Sequence, residues 1–208
     1  PDHETRPSQQ EMAASVAICL NQGDALCVEA PTGVGKSLAY LLPAALWASH
    51  NERRVVVATR TINLQRQLVD KDLPALAKLL LDEDPDRSPL RYVELVGRRN
   101  YLCPQRLSEA FKQTALKKEL NEAQQQDLWR LKAWSYDEQT GGRLQDLDDA
   151  PDRRVWDEAN ADPDNCAGPK CAHFDRCPYF ASRRRAGAAD LLVVNHALLL
   201  ADVASKGG

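Results

Sequence analysis

Residues 30–37 read Ala-Pro-Thr-Gly-Val-Gly-Lys-Ser, a pattern suited to holding the phosphates of a nucleotide. Gly33 and Gly35 let the backbone curl until its N–H groups face phosphate oxygens, with Thr32 and Val34 in the same loop. A helix opening at Lys36 would add its positive end. The Lys36 ammonium has the length to reach the β- and γ-phosphates, and the Ser37 hydroxyl is a ligand for Mg²⁺. Ala30 stands where such loops usually begin with glycine. The competing reading is a glycine-rich turn with no ligand. The context argues against it, because an apolar run precedes the loop and a helical pattern follows.

A second set of residues could hold a metal. Cys103 stands in Tyr101-Leu-Cys-Pro104, and Cys166, Cys171 and Cys177 follow with gaps of 62, 4 and 5 residues. Thiolates are soft ligands, and four of them suit an iron–sulfur cluster or a zinc ion. Structural zinc often uses a pair separated by two residues, and none is present. Spacing alone leaves cluster, zinc, and unligated or disulfide-bonded thiols all open. Cys19 and Cys27 lie in apolar stretches and read as core residues.

The elements that must position these groups follow from periodicity. Ser8–Asn21 reads as a helix, with Ser8 and Glu11 at capping-box spacing. Residues 25–30 read as a buried strand leading into the loop. Residues 36–50 read as a helix with Leu38, Leu41, Leu42, Ala45 and Leu46 on its apolar face, kinked at Pro43. Strands at 54–59 and 92–96 flank a helical stretch at 61–81, broken at Pro74, and a further apolar strand spans 190–195. Buried strands alternating with helices predict an α/β fold, a parallel sheet with helices on both faces. Residues 105–134 are helical but polar, and 137–164 read as loops. The boundaries are therefore 1–96 for the first part of a P-loop domain, 97–182 for an insertion carrying the cysteines, and 183–208 for the return to the first domain.

At this point a resemblance becomes specific. Glu29–Ser37 resembles motif I of superfamily 2 helicases, and Arg6-Pro-Ser-Gln-Gln-Glu-Met12 is similar to the stretch that precedes it. Ala58–Leu68 resembles motif Ia. The insertion site, the Tyr-Leu-Cys-Pro signature and the C-x4-C-x5-C-Pro group resemble the DinG-like branch of the XPD/DinG iron–sulfur DNA helicases. Residues 190–202 resemble the strand that follows the cluster domain there.

The resemblance implies a RecA-like domain with a cluster insertion, as the N-terminal part of an ATP-dependent 5′–3′ translocase on single-stranded DNA. It implies Gln9 on the adenine, Lys36 and Ser37 at the phosphates and Mg²⁺, and a 4Fe–4S cluster on Cys103, Cys166, Cys171 and Cys177. It implies DNA contacts from the motif Ia segment, where Thr59, Arg60, Thr61 and Asn63 stand; for Thr59 and Thr61 the alternative is helix capping. Arg98, Arg99 and Arg183, with Arg184 and Arg185, could line a strand path, although charge runs are usually solvated. Tyr101, Tyr179 and Phe180 read first as packing around the cluster.

Forked or tailed duplexes, and RNA–DNA hybrids, are the partners the resemblance implies. A monomer in the cytoplasm is expected.

One part is missing. The family's Asp-Glu-x-His box, whose Asp holds Mg²⁺ and whose Glu polarises water, is not found. Asp157-Glu158-Ala-Asn160 imitates it but follows no buried strand. The fragment alone is therefore expected not to hydrolyse ATP efficiently. The formal net charge of −3 assigns any nucleic-acid binding to local patches. No apolar run is long enough to span a membrane.

Overall fold

The computed structural model describes residues 6–31, 33–117, 120–137 and 140–206. Helices are α1 (Pro7–Gln22), α2 (Lys36–His50), α3 (Ile62–Gln67), α4 (Leu73–Glu83), α5 (Pro104–Lys117), α6 (Glu122–Trp134), α7 (Arg153–Ala159), α8 (Pro178–Gly187) and α9 (His196–Lys206). Strands are β1 (Val55–Thr59), β2 (Tyr92–Glu94) and β3 (Leu191–Asn195). The chain divides into two compact units, one of Pro1–Leu95 with Ala186–Gly208 and one of Val96–Arg185.

The first unit is built on a parallel sheet of order β1-β3-β2. The central strand β3 is a continuous apolar run buried on both faces, whereas Val56 on the outer strand β1 is exposed. Leu191 and Val193 pack with Leu41, Ala45, Leu68, Leu73 and Leu76 on one face, and Leu192 and Val194 pack with Leu95, Ala186 and Ala189 on the other. Ninety residues separate Leu95 from Ala186, yet β2 and β3 are direct neighbours. At the return point, Asp190 accepts from the Arg91 backbone N–H (2.9 Å) and from its guanidinium (2.7 and 3.3 Å). The Asp190 N–H in turn donates to the Arg91 carbonyl at 2.7 Å. Farther along, the buried Gln65 amide donates to the carbonyls of Leu95 (2.9 Å) and Val193 (3.1 Å), fixing the start of α3 to β3 and to the segment that leaves β2.

Several expectations need correction. Residues 25–30 form no strand: 25–29 are exposed, and no described strand pairs with them. An apolar run becomes a strand only when it finds a ladder partner, and β1 pairs only with β3 among the described residues. Cys27 is consequently exposed, and Cys19 is half-buried, its thiol donating to the Asp24 carbonyl at 2.9 Å. Helix α1 begins at Pro7 with Arg6 as N-cap, so Ser8 lies inside the helix and caps nothing. Proline's fixed φ suits the first helical position.

In α2 the small residues Ala39, Ala44, Ala45 and Ala48 face inward with Leu41, whereas Leu38 and Leu46 are each 40% exposed. Pro43 sits within the helix, which runs on to His50. The stretch after β1 is interrupted ahead of Pro74, by a π-helical turn at Leu68–Asp72, and Pro74 then opens α4.

The second unit packs α5, α6 and α7 around Leu102, Leu107, Leu128, Leu131, Val155, Trp156 and Ala159. Helix α7 was expected to be loop; it is short, and Asp152 caps it by accepting from the Arg154 N–H at 2.9 Å. Arg106 on α5 closes its far end, donating to the carbonyls of Asp157 (2.8 Å) and Asn160 (2.7 Å). Asp157 and Glu158 therefore lie on a helix, not at a strand end.

Candidate nucleotide and thiolate sites

The phosphate loop takes its shape from two left-handed glycines, Gly33 at φ +86° and Gly35 at φ +79°. A Cβ avoids this region, so a side chain at either position strains the loop. Gly35 is also the N-cap of α2, which points the first free N–H groups of that helix into the loop. Lys36 and Ser37 occupy its first turn. The Lys36 ammonium donates to the carbonyls of Ala30 and Pro31, both at 2.7 Å. Ser37 hydrogen-bonds the Tyr40 side chain, whose phenol is pushed up mainly by burial. Thr32 lies outside the described residues, while Val34 is half-buried in the loop.

Helix α1 braces the loop. The Gln9 amide donates to the Gly35 carbonyl at 3.0 Å, and Arg6 donates to the Gly33 carbonyl at 3.2 Å. A Cβ built on Gly35 would collide with the Gln9 amide. Arg6 had been read only as part of a motif. Its place one turn ahead of Gln9 on the same helix was the available signal.

The segment after β1 divides by accessibility. Thr59 is 3% exposed, and its hydroxyl lies 3.0 Å from the Thr61 carbonyl and 3.4 Å from that of Val194. It shapes the turn and does not face solvent, so the expected phosphate contact from this hydroxyl needs correction. Thr61 caps α3, accepting from the Leu64 N–H at 3.2 Å. Arg60 and Asn63 are exposed beside it.

In the second unit, Cys103, Cys166, Cys171 and Cys177 line one cavity of about 400 Å³, with Phe174 and Phe180. Among the described residues no three His, Cys, Asp or Glu groups stand close enough to share a single ion. Two thiols are placed alike. Cys103 precedes Pro104 at the start of α5, and Cys177 precedes Pro178 at the start of α8. Burial pushes both thiols up. Opposing that, Cys103 is hydrogen-bonded by backbone N–H groups of Arg106 and Gln105, and Cys177 by those of Phe180 and Tyr179. The neighbouring thiols raise both further. The Gly168 N–H points to the Cys166 sulfur at 3.3 Å, and the His173 N–H to that of Cys171 at 3.4 Å. All four sulfurs therefore have backbone N–H donors, and at Cys103 and Cys177 burial outweighs them and leaves the thiols raised.

Residues far apart in sequence close this site. The Tyr101 and Ser182 hydroxyls hydrogen-bond at 2.8 Å while both residues are buried. The Leu102 N–H donates to the Gly142 carbonyl (2.8 Å), and the Cys103 N–H to that of Ala159 (2.8 Å). Gly142 has φ +66°, and a Cβ there would lie 2.5 Å from two Pro178 carbons. The sequence reading missed Gly142 and Ser182. The paired Gly141-Gly142 was the only local sign.

The arginines fall into two sets. Arg98 lies 4.6 Å and Arg183 5.3 Å from the centre of the Tyr179 ring. Neither has a carboxylate partner among the described residues, and the Arg98 Nε is buried without an acceptor. Arg99 instead pairs with Asp162 at 3.5 Å, and Arg184 donates to the Asp175 carbonyl at 3.0 Å. The rings expected to pack around the cluster touch one another, with Tyr101 and Tyr179 edge-on at 5.8 Å and Tyr179 against Phe180 at 5.2 Å, and Phe174 joins them 4.6 Å from Phe180.

Residues 6–82 match the family DEAD/DEAH box helicase. The chain is 39% identical to the ATP-dependent helicase DinG of Mycobacterium tuberculosis, over 97% of this chain and 32% of that protein. It is 33% identical to the ATP-dependent DNA helicase DinG of Salmonella typhimurium and 32% identical to that of Escherichia coli, each over 99% of this chain and 30% of the relative. It thus spans about a third of the length of the curated relatives it matches.

Proposed function

We propose that this chain, similar to the DinG helicases along nearly its whole length, is the nucleotide-binding and cluster-bearing portion of an ATP-dependent DNA helicase. The observation that carries this reading is the convergence of four cysteines on one cavity, inside a unit inserted between neighbouring strands of a P-loop sheet. Four thiols around one space suit a 4Fe–4S cluster or a zinc ion, and the likeness of the cysteine spacing to the iron–sulfur helicases favours the cluster. A cluster bonded to Cys103, Cys166, Cys171 and Cys177 would staple the start of α5 to the segment before α8. We read its role as structural.

In the other unit, the loop N–H groups and the α2 N-terminus bind phosphate oxygens. Lys36 exchanges its bonds to Ala30 and Pro31 for the β- and γ-phosphates. Ser37 turns from Tyr40 to Mg²⁺, and Gln9 meets the adenine. DNA meets the exposed Arg60, Thr61 and Asn63 and the unpaired Arg98 and Arg183, whereas Arg99 contributes less because Asp162 already holds it. The whole protein moves 5′ to 3′ along single-stranded DNA in the cytoplasm and splits forked or tailed duplexes near the cluster unit. This chain carries no Asp-Glu pair at a strand end among its described residues, so alone it binds nucleotide without efficient turnover.

The test is binding. A fluorescent ATP analogue with Mg²⁺ should bind the chain and lose at least about tenfold in affinity in Lys36→Ala. Single-stranded DNA should bind more weakly to Arg98→Ala than to Arg99→Ala. In the full-length protein, a 5′-tailed duplex should be unwound and a 3′-tailed one left intact. A chain that binds neither ligand contradicts the reading.

A further inference from the structure

A second cavity in the inserted unit, about 590 Å³, lies beyond the thiolate site. Trp134 and Tyr136 bring two aromatic rings to it, and Arg176, Arg184 and Arg185 bring three guanidinium groups; Asp137 and Asp175 also line it. Two of the arginines are occupied: Arg176 lies 3.3 Å from the His173 ring nitrogen, and Arg184 holds the Asp175 carbonyl and stands over Phe174. Arg185 has no side-chain partner among the described residues. Tyr136 is 65% exposed although it lies beside a cavity, and the Lys132 ammonium stands 5.1 Å from its ring centre.

We infer that this cavity takes one unstacked nucleotide, its ring against Trp134 and Tyr136 and its phosphate on Arg185. The inference rests on the reading of this chain as a DNA-handling segment. The size lies within the usual range for small-ligand sites, and aromatic rings beside a guanidinium are the common chemistry of single-strand recognition; here Tyr136 is exposed and Trp134 half-buried. A base on Tyr136 would also bury apolar ring surface that now faces solvent. The site's frame is fixed by contacts already described: Gly142 against Pro178, both of which line it.

The experiment measures fluorescence polarisation of a labelled oligo-dT strand with the full chain, prepared without oxygen. Tyr136→Ala and Arg185→Gln should each weaken binding about tenfold. Trp129→Ala, which removes an equally exposed ring outside the cavity, should leave it unchanged. An iodouracil-bearing strand should crosslink to Trp134 or Tyr136 on irradiation. Competition by millimolar dTMP, lost in Tyr136→Ala, would assign the cavity to a free nucleotide; failure of dTMP to compete would assign it to a strand. Wild-type affinity in both variants, with crosslinks mapping elsewhere, overturns this inference and leaves the helicase reading intact. A wild-type chain with no affinity for the strand overturns the helicase reading and this inference with it.

Discussion

The phosphate loop and the four-cysteine cavity gather their residues by opposite routes. The loop is local: eight consecutive residues carry its ligands, and two glycines with positive φ set its curve. Among the described residues, Arg6 and Gln9 reach it from elsewhere, through bonds to backbone carbonyls. The four-cysteine site is non-local: 62 residues lie between its first cysteine and its second. It depends on tertiary ties, Tyr101 to Ser182, Gly142 against Pro178 and Arg106 onto the end of α7. The difference teaches where each site is vulnerable. Changes to the loop should alter nucleotide affinity and leave the fold standing, whereas changes around the thiols should cost stability of their own unit.

The largest expected effect is at Gly142. An alanine there meets strain at φ +66° and contacts at 2.5 Å with the Pro178 ring, which is closed on its own backbone and cannot swing aside. Gly142→Ala should destabilise the inserted unit by about 2–3 kcal/mol, read as an early melting step, while nucleotide affinity holds. Equal loss of both would break the contrast between the units. Next comes Gly35→Ala, which has the same φ problem but a movable neighbour, the Gln9 side chain. It should weaken nucleotide binding about tenfold, with a loss of stability no larger than about 1 kcal/mol. Tyr101→Phe should follow, at about 1–2 kcal/mol from the second unit, because it leaves the buried Ser182 hydroxyl short of a partner; chemical denaturation followed by tryptophan fluorescence would measure it.

The smallest effect concerns pH. Burial raises the Asp190 carboxyl, but hydrogen bonds and charge from Arg91 outweigh it and hold the group below its ordinary value. A depressed carboxyl contributes stability above its unfolded pKa, lost as pH falls through the folded one. Arg91 is 63% exposed, so solvent screening limits the contribution to about 0.5–1 kcal/mol. Asp190→Asn should remove that much at pH 7 and flatten the acid limb of the stability curve below about pH 4; an unchanged acid limb would show that the clasp contributes nothing.

Legibility in the sequence follows the same divide. The loop, α2 and the parallel strands could be read because their signals are contiguous: glycines before a helix, and apolar runs between turns. Residues 25–30 carry the same apolar signal as β1, yet form no strand, because pairing depends on a partner that periodicity does not reveal. Thr59 reads as a phosphate donor from its motif, but its inward rotamer depends on the Val194 carbonyl, 135 residues away. Helix α7 was hidden by its length and its charged residues. Its cap, Asp152, is visible only once the helix is known. For Cys103 and Cys177, the proline after each cysteine is an N-terminal helix signal; it was read only as part of a signature. The charges of the arginine cluster could be counted in sequence, but which of them were already paired could not.

The central claim is that four distant cysteines hold one iron–sulfur cluster in a P-loop helicase segment, and metal stoichiometry tests it most directly. The chain would be purified without oxygen, and iron, zinc and acid-labile sulfide measured for wild type and Cys171→Ser. The account predicts about four irons and four sulfides per chain, with a broad absorption near 400 nm, all lost in the variant. One zinc per chain, with neither iron nor sulfide, would contradict it.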